Sequence, residues 1–261
     1  MPIQLVACNE NPLCFGFSWT ISDEDLLAEL VARLLFGHYR HVQKILSGQS
    51  LVQTPTISQP MMDTIISRLT TTTPEPVRYQ RDGWIFQMIS WVAAKKSDPT
   101  SLSAIPHSQR AQKGFDNLIV KVSAAGRVES VVICEDKATG SPRDTIREKV
   151  WPEIETFESG SRDSELVNEV TAILERAEGI IDVDESMAAI FWDEARHYRV
   201  AITTNEIDNS ANRRRLFAGY DTVVDGDPNR RRGDTFLVEQ VRDWMDDFCD
   251  LIVQKMRIIN V

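Results

Sequence analysis

Cysteines, long apolar runs and glycine-rich loops are scarce in this sequence of 261 residues. Its 4 cysteines are scattered without a C-x-x-C pair, so the sequence predicts free thiols and neither a zinc site nor a disulfide framework. Because no stretch approaches the roughly 18 apolar residues of a membrane helix, we expect no membrane partner. The first residues also lack the basic and apolar segments of a secretion signal, and we expect a cytoplasmic protein. The absence of a glycine-rich phosphate loop or dinucleotide fingerprint argues against an ATPase or a nicotinamide enzyme.

A positive net charge is the other missing feature, since the formal charge is −10. Enzymes that act on nucleic acids draw binding energy from Lys and Arg side chains that neutralise phosphates. The arginines nevertheless include two runs of three, Arg213 to Arg215 and Arg230 to Arg232. We predict that Arg213, Arg214 and Arg215 contact nucleic acid, on one face of the protein or with help from a partner. The alternative is that both runs are solvated surface patches.

Apolar periodicity divides the chain into predicted helices and strands. The predicted helices cover residues 23–46 (capped by Ser22), 78–96, 163–178 and 237–256, and another begins after Ser141 and bends at Pro152. Alternating apolar residues predict strands over 115–122, 128–137 and 199–203, and a shorter strand over 220–224.

This order of elements predicts an α/β fold in which a mixed central β-sheet is flanked by helices. We expect residues 1–76 to form a mostly helical N-terminal extension. Residues 77–261 are expected to form one compact domain that contains the sheet.

The first two predicted strands form a β-hairpin that brings acidic residues together. A two-residue turn at 125–126 pairs the strands so that partner numbers sum to 251, which places Asp116 opposite Glu135. A three-residue loop would instead place these two side chains on opposite faces. Glu135 and Lys137 are two residues apart and share a face, whereas Asp136 points to the other side.

Two acids and one amine on one strand face suit metal-dependent phosphodiester hydrolysis. Directly opposed residues have Cβ atoms roughly 5 Å apart, and two carboxylates at that distance repel by about 3 kcal/mol at an effective dielectric near 20. A bound Mg²⁺ or Mn²⁺ would reverse that cost, polarise a phosphoryl oxygen and acidify a bound water. We therefore predict Asp116, Glu135 and Lys137 as catalytic residues, with the two carboxylates and the backbone carbonyl of Asp136 as metal ligands. The alternative is a chance acid-x-Lys triplet on a solvated strand.

The sequence around these residues resembles the PD-(D/E)xK superfamily of restriction-endonuclease-like nucleases. The resemblance is carried by residues 114–120, residues 133–137 and the helix that begins after Ser141. The superfamily pattern falls on Asp116, Glu135 and Lys137, which implies a restriction-endonuclease-like core and DNA as the substrate. Many members also carry an acid on a preceding helix, and Gln87 stands at that position, so Gln87 joins the predicted catalytic residues. Phe115 stands where the name-giving proline often lies.

A more distant resemblance concerns the last third of the chain. The strand over 198–203 and the closing helix from Leu237 look like the nuclease subunit of Hachiman-type antiphage systems. This resemblance implies a bacterial defence effector that degrades DNA together with a helicase or ATPase subunit.

Two further arginines lie just behind the predicted site. Arg143 and Arg147 are one helical turn apart, where they are candidate contacts for backbone phosphates. Surface ion pairs with Asp144 or Glu148 are the alternative interpretation.

Three functions are compatible with these residues. The first is a divalent-metal-dependent DNA endonuclease. The second is a catalytically silent module of the same fold that binds a partner protein or a nucleic acid. The third is an RNase, because a metal centre acts on the phosphodiester and nothing in these residues distinguishes the two sugars.

Overall fold

The chain places seven strands in a single curled, mixed sheet. In the computed structural model, the described residues are 1–49, 56–111, 114–123, 127–177, 195–207 and 209–259, so the predicted turn at 125–126 lies outside them. The strands are β1 (Ile3–Asn9), β2 (Phe15–Ile21), β3 (Leu102–Ser103), β4 (Asn117–Val122), β5 (Val128–Lys137), β6 (Arg196–Thr204) and β7 (Arg231–Leu237). Their order in the sheet is β1-β2-β7-β6-β5-β4-β3.

Parallel pairing forms the middle of this sheet. β2, β7, β6 and β5 run parallel to one another, whereas β1, β4 and β3 add antiparallel edges. The carboxyl ends of β5, β6 and β7 therefore lie along one edge, which is where α/β proteins commonly place their sites. The predicted mixed sheet flanked by helices is confirmed.

Helices cover both faces of the sheet. They are α1 (Glu24–Leu35), α2 (Tyr39–Leu46), α3 (Gln59–Thr70), α4 (Glu75–Ser97), α5 (Pro142–Thr145), α6 (Trp151–Glu158), α7 (Asp163–Glu175), α8 (Ser210–Leu216), α9 (Tyr220–Val223) and α10 (Val241–Ile259). One apolar core lies between the sheet and α1 to α4 with α10, and a second lies between the sheet and α6 to α9. Throughout the described part of the chain, no helix combines the length and apolar character needed to cross a membrane.

The predicted helical extension is wrong for the first 21 residues of the chain, because β1 and β2 form a hairpin that continues the sheet. A signal for β2 is present in the alternation Phe15, Phe17, Trp19 and Ile21, which has the period of a strand. β2 also approaches β7 very closely, since a Cβ atom on Gly16 would lie 1.9 Å from the Gly233 carbonyl oxygen. Only glycine fits there.

The predicted helix over 23–46 is two helices. α1 ends at Leu35, and Gly37, two residues later, adopts the left-handed region with φ +78, so the chain turns before α2 begins. Its N-cap is Asp23 rather than Ser22, because the Asp23 side chain accepts a hydrogen bond from the Leu26 N–H at 2.9 Å.

The predicted strand over 220–224 is also wrong, because those residues form the short helix α9 and its end. A short apolar run does not distinguish a strand from a buried helical turn. The strand that completes the sheet, β7, starts at Arg231, and the closing helix α10 begins at Val241 rather than at 237.

The predicted hairpin register is confirmed for most of β4. Partner numbers sum to 251 from the pair Asn117 and Cys134 to the pair Lys121 and Ser130, as predicted. The pair Val122 and Val128 sums to 250, so the register shifts by one residue after Lys121 and differs there from the one that the two-residue turn predicted. Asp116 immediately precedes β4, so continuing the same register by one residue places Asp116 opposite Glu135 of β5.

The helix predicted to bend at Pro152 contains a π-helical turn, Ile146–Val150, between α5 and α6. Pro152 has no N–H to donate to the carbonyl of Glu148 one turn earlier, and the wider turn accommodates that missing bond. Ile146 and Val150 within it are fully buried against the second core.

Candidate active site

Three of the predicted catalytic side chains meet at the carboxyl end of β5. The Lys137 ammonium lies 2.9 Å from Asp116 Oδ2 and 2.7 Å from Glu135 Oε2. β5 presents Glu135 and Lys137 on one face because they are two residues apart, and the hairpin register adds Asp116. We call these three residues the acid–lysine cluster. With two carboxylates and one ammonium, its formal charge is −1.

Asp116 is held by donors from two elements. Gln87, on α4, donates its Nε2 to Asp116 Oδ1, so this residue reaches the cluster with an amide in place of an acid. The backbone N–H of Asp136 donates to Asp116 Oδ2 at 2.9 Å. Because the N–H and C=O of one strand residue project to the same side, we expect the Asp136 carbonyl to project to the side of β5 on which Asp116 lies.

The Asp136 side chain lies on the opposite face, in a buried polar network. Its Oδ1 accepts from the Ser90 hydroxyl and its Oδ2 from the Asn117 amide. The fully buried Arg199 donates to Ser90 Oγ at 2.8 Å and to Asp234 Oδ2 at 2.8 Å. This network anchors the end of β5 from behind and keeps the Asp136 carboxylate away from the cluster.

Burial perturbs the titration of the cluster. Burial raises the pKa of Glu135 from 4.5 to about 7, because desolvation and repulsion from Asp116 outweigh the attraction of Lys137. Burial alone would lower the pKa of Lys137, but the two carboxylates raise it above its ordinary value. Desolvation also raises the pKa of Asp136 to about 6 despite Arg199. Lys137 is therefore charged at neutral pH, while Glu135 is close to its titration point.

The donor set fits a hard divalent cation. The carboxylates of Asp116 and Glu135, the amide oxygen of Gln87 and the Asp136 carbonyl are all oxygen ligands, and Mg²⁺ is commonly held by one or two carboxylates with several waters. A cation would favour the ionised form of Glu135. The attraction of Lys137 alone does not bring the pKa of Glu135 back to its ordinary value. Within the described ranges, no group of three or more His, Cys, Asp and Glu is arranged to hold a metal. Amide, carbonyl or water oxygens would complete the coordination.

A cleft of about 830 Å³ opens onto the cluster. Gln87, Asp116 and Lys137 line it together with the loop that follows β5. Glu135 does not line this cleft, since its side chain is only 8% exposed and lies beside the Lys137 ammonium. A ligand in the cleft therefore meets Asp116 and Lys137 first.

His107 lines the same cleft, and the sequence reasoning missed it. It lies in the loop between β3 and β4, where its carbonyl accepts from the Trp84 indole N–H at 2.8 Å. Burial lowers the pKa of His107, and the nearby Asp116 and Glu169 partly oppose that shift. No periodicity or motif marks an isolated histidine in an irregular loop, so only the fold places it near the cluster.

The predicted nucleic-acid contacts divide into buried and exposed arginines. The prediction that Arg213 contacts nucleic acid is corrected, because its side chain is 2% exposed and is bound to Glu10, Thr235 and the Gly233 carbonyl. A surface ligand has no access to it in this arrangement. Arg214 and Arg215 remain exposed, and Arg215 pairs with Glu206. The second run consists of Arg230, Arg231 and Arg232. It is not a surface patch either, because its side chains are largely buried and donate to carbonyl and carboxylate groups within the protein.

The two arginines behind the cluster have different surroundings. Arg143 donates to the carbonyls of Leu216 and Ala218 at 3.1 and 2.9 Å, which ties α5 to the end of α8. Arg147 is 58% exposed and pairs with Asp144 and Glu148, the arrangement that the alternative interpretation expected.

Comparison of the chain with protein-family models, with curated proteins and with solved structures finds no match in any of the three.

Proposed function

We propose that this protein is a divalent-metal-dependent endonuclease that hydrolyses DNA phosphodiesters. The observation that carries the proposal is the acid–lysine cluster, in which Lys137 bridges the carboxylates of Asp116 and Glu135 at the mouth of a large cleft. A parallel strand that ends at a polar, open edge of the sheet is a frequent place for such chemistry. The resemblance to PD-(D/E)xK nucleases supports the same reading of these residues.

Each residue has a role in this proposal. Asp116, Glu135 and the Asp136 carbonyl hold Mg²⁺ or Mn²⁺, with Gln87 as a neutral fourth oxygen. When bound, the ion supplies a polarised phosphoryl oxygen and a more acidic water. The Lys137 ammonium orients the attacking water and offsets the negative charge that develops on the phosphate. Gln87 and the Asp136 N–H keep Asp116 oriented.

Two alternatives are retained. A catalytically silent binding module is favoured by the burial of Glu135, whose carboxylate already pairs with Lys137 and does not line the cleft. An RNase is favoured by no specific observation, but the same cluster serves either polymer. The biological role that we propose, an antiphage effector acting with a helicase or ATPase subunit, rests on the second sequence resemblance alone.

Asp116→Asn tests the proposal directly. We expect it to reduce Mg²⁺- and Mn²⁺-dependent cleavage of supercoiled plasmid by about 10²-fold or more, because the variant loses a charged ligand. Duplex DNA, single-stranded DNA and RNA are digested in parallel, with EDTA as the metal-free arm. The matched control is Asp144→Asn, an exposed acid of the same cleft, which should cleave like the unmodified protein. Equal cleavage by both variants would contradict the assignment, and cleavage of RNA alone would select the RNase.

Metal affinity should depend on pH through Glu135. Its carboxyl has a pKa of about 7 without metal, and a cation binds the ionised form, so binding releases a proton below that pH. We expect Mn²⁺ affinity measured by calorimetry to fall by about tenfold per pH unit below 7 and to level off above it. Glu135→Gln should bind Mn²⁺ weakly with little dependence on pH. Equal affinities of the unmodified protein at pH 6 and pH 8 would remove Glu135 from the proposed ligands.

A further inference from the structure

A second cleft, of about 630 Å³, lies next to the candidate active site. Ile105 lines this second cleft, and His107 lines the first. Because two residues span at most about 7 Å of chain, this loop supplies a lining residue to each cleft within that distance. α4 passes both, with Gln87 at the first cleft and Lys95 at the second.

The second cleft is strongly basic. Its lining includes four cationic side chains, and no Asp or Glu is found among the described residues that line it. This is a marked departure in a chain with 39 acidic and 29 basic residues. We call it the basic cleft, after the four side chains Arg40, Lys44, Lys95 and Arg176.

Lys95 gives the basic cleft a buried positive charge. The side chain is 4% exposed, donates to the Ser101 carbonyl and lies 5.8 Å from the centre of the Trp91 ring. Burial lowers its pKa to about 8, and Asp98 opposes that shift only in part. Asp98 itself accepts from the Ser101 N–H at 3.1 Å. An anion in the cleft would therefore stabilise an ammonium that the fold holds mainly through a neutral carbonyl.

We propose that the basic cleft binds backbone phosphates of a nucleic-acid strand whose scissile phosphodiester lies at the acid–lysine cluster. This inference rests on the proposed function. Lys95 lies eight residues after Gln87 on α4, a rise of about 12 Å, which is the length of roughly three to four nucleotides at 3.4 Å each. Tyr39, a partly buried aromatic residue, also lines the cleft, and aromatic rings are common stacking partners of unpaired bases. A local basic groove explains how an acidic chain holds a polyanion.

Salt dependence of binding tests the proposal. The probe is a fluorescein-labelled single-stranded DNA of roughly 20 nucleotides, longer than the site sizes typical of single-strand grooves. Its anisotropy is measured with the full chain in EDTA over a range of NaCl concentrations. Lys44→Gln combined with Arg176→Gln removes two charges from the cleft. We expect the slope of log K against log [NaCl] to become shallower by about 1.4, since each phosphate contact with a single strand contributes about 0.7.

Arg257→Gln is the matched control, because Arg257 is exposed near the end of α10 and lines neither cleft. It should keep the slope of the unmodified protein. An unchanged slope in the double variant, or no DNA binding by the unmodified protein, would overturn the inference. So would loss of binding to phosphatidylserine vesicles with DNA binding unaltered, which would assign the cleft to a membrane surface.

The same proteins separate this inference from the proposed function. If the double variant shows the shallower slope while Asp116→Asn cleaves normally, the basic cleft stands as a nucleic-acid-binding groove and the nuclease assignment fails. If Asp116→Asn loses cleavage while the double variant binds with the original slope, the nuclease assignment stands and the basic cleft fails.

Discussion

Lys137→Ala is expected to abolish divalent-dependent DNA cleavage while leaving the protein folded. The ammonium is the only group of the acid–lysine cluster that carries positive charge, and it touches both carboxylates. Removing a single charged group that stabilises a transition state typically costs about 10²- to 10³-fold in kcat. Because the side chain is partly exposed at the cleft, its truncation leaves no sealed cavity.

Metal binding separates the chemical role of Lys137 from a structural one. Without the ammonium, Asp116 and Glu135 have no cation between them, so Mn²⁺ should bind at least as tightly to the variant as to the unmodified protein. Retained Mn²⁺ binding with lost cleavage is thus the expected pair of results. Lys149→Ala is the control, since Lys149 is an exposed lysine of the same cleft. Cleavage by Lys137→Ala at the rate of the control would refute the assignment of this residue.

The cluster was predictable because its geometry depends on local rules. Strand periodicity alone places Glu135 and Lys137 on one face. The predicted hairpin register matches the pairing of Asn117 with Cys134. The pair Val122 and Val128, however, sums to 250, so a register shift after Lys121, which turn chemistry does not predict, also contributes to the observed register. Asp116 follows from that register. Each step involves residues close in the sequence, where spacing carries most of the information.

Contacts between residues that are distant in the chain could not be predicted from the sequence. β2 pairs with β7 across more than 200 residues, and no local pattern announces that Phe15 lies opposite Arg232. The same limit explains the arginine runs. Arg213 looks like a surface charge in the sequence, yet Glu10 and Thr235 bury it. His107 reaches the cleft only because α4 and β4 position its loop.

The residues of the buried polar network behind the acid–lysine cluster could not be predicted for a different reason. Ser90, Asn117 and Asp234 have ordinary local contexts, and only the assembled sheet shows that they surround Asp136 and Arg199. A charged side chain in a strand has no periodic signature that distinguishes a buried ion pair from a solvated one. The polar support of the candidate site therefore had to be read from the structure.

Asp234→Ala should produce the largest loss of stability among the substitutions considered. The carboxylate is 0% exposed and accepts from Arg199 Nε at 2.8 Å, from Arg232 Nη2 at 2.8 Å and from the Phe17 N–H at 2.9 Å. Its removal leaves Arg199 without its closest carboxylate partner in the core and the Phe17 N–H of β2 without this acceptor. Breaking one side of a buried ion pair typically costs about 3–5 kcal/mol, a large share of the roughly 5–15 kcal/mol that keeps a domain folded.

Urea unfolding followed by circular dichroism measures this loss, with Asp225→Ala as the control. Asp225 lies 3.6 Å from Arg230 but is 92% exposed, so its removal should leave the unfolding midpoint unchanged. Burial raises the pKa of Asp234, but Arg232 and Arg199 outweigh it and hold the pKa below 3.8. The stabilisation is therefore complete above the ordinary pKa of 3.8 and is lost as the pH falls through the lower pKa of the folded state. Asp234→Asn should lack that acid-dependent loss, because it has no proton to take up. If the Asp234 and Asp225 variants unfold at the same urea concentration, the ion pairs of Asp234 do not contribute to the stability of the sheet.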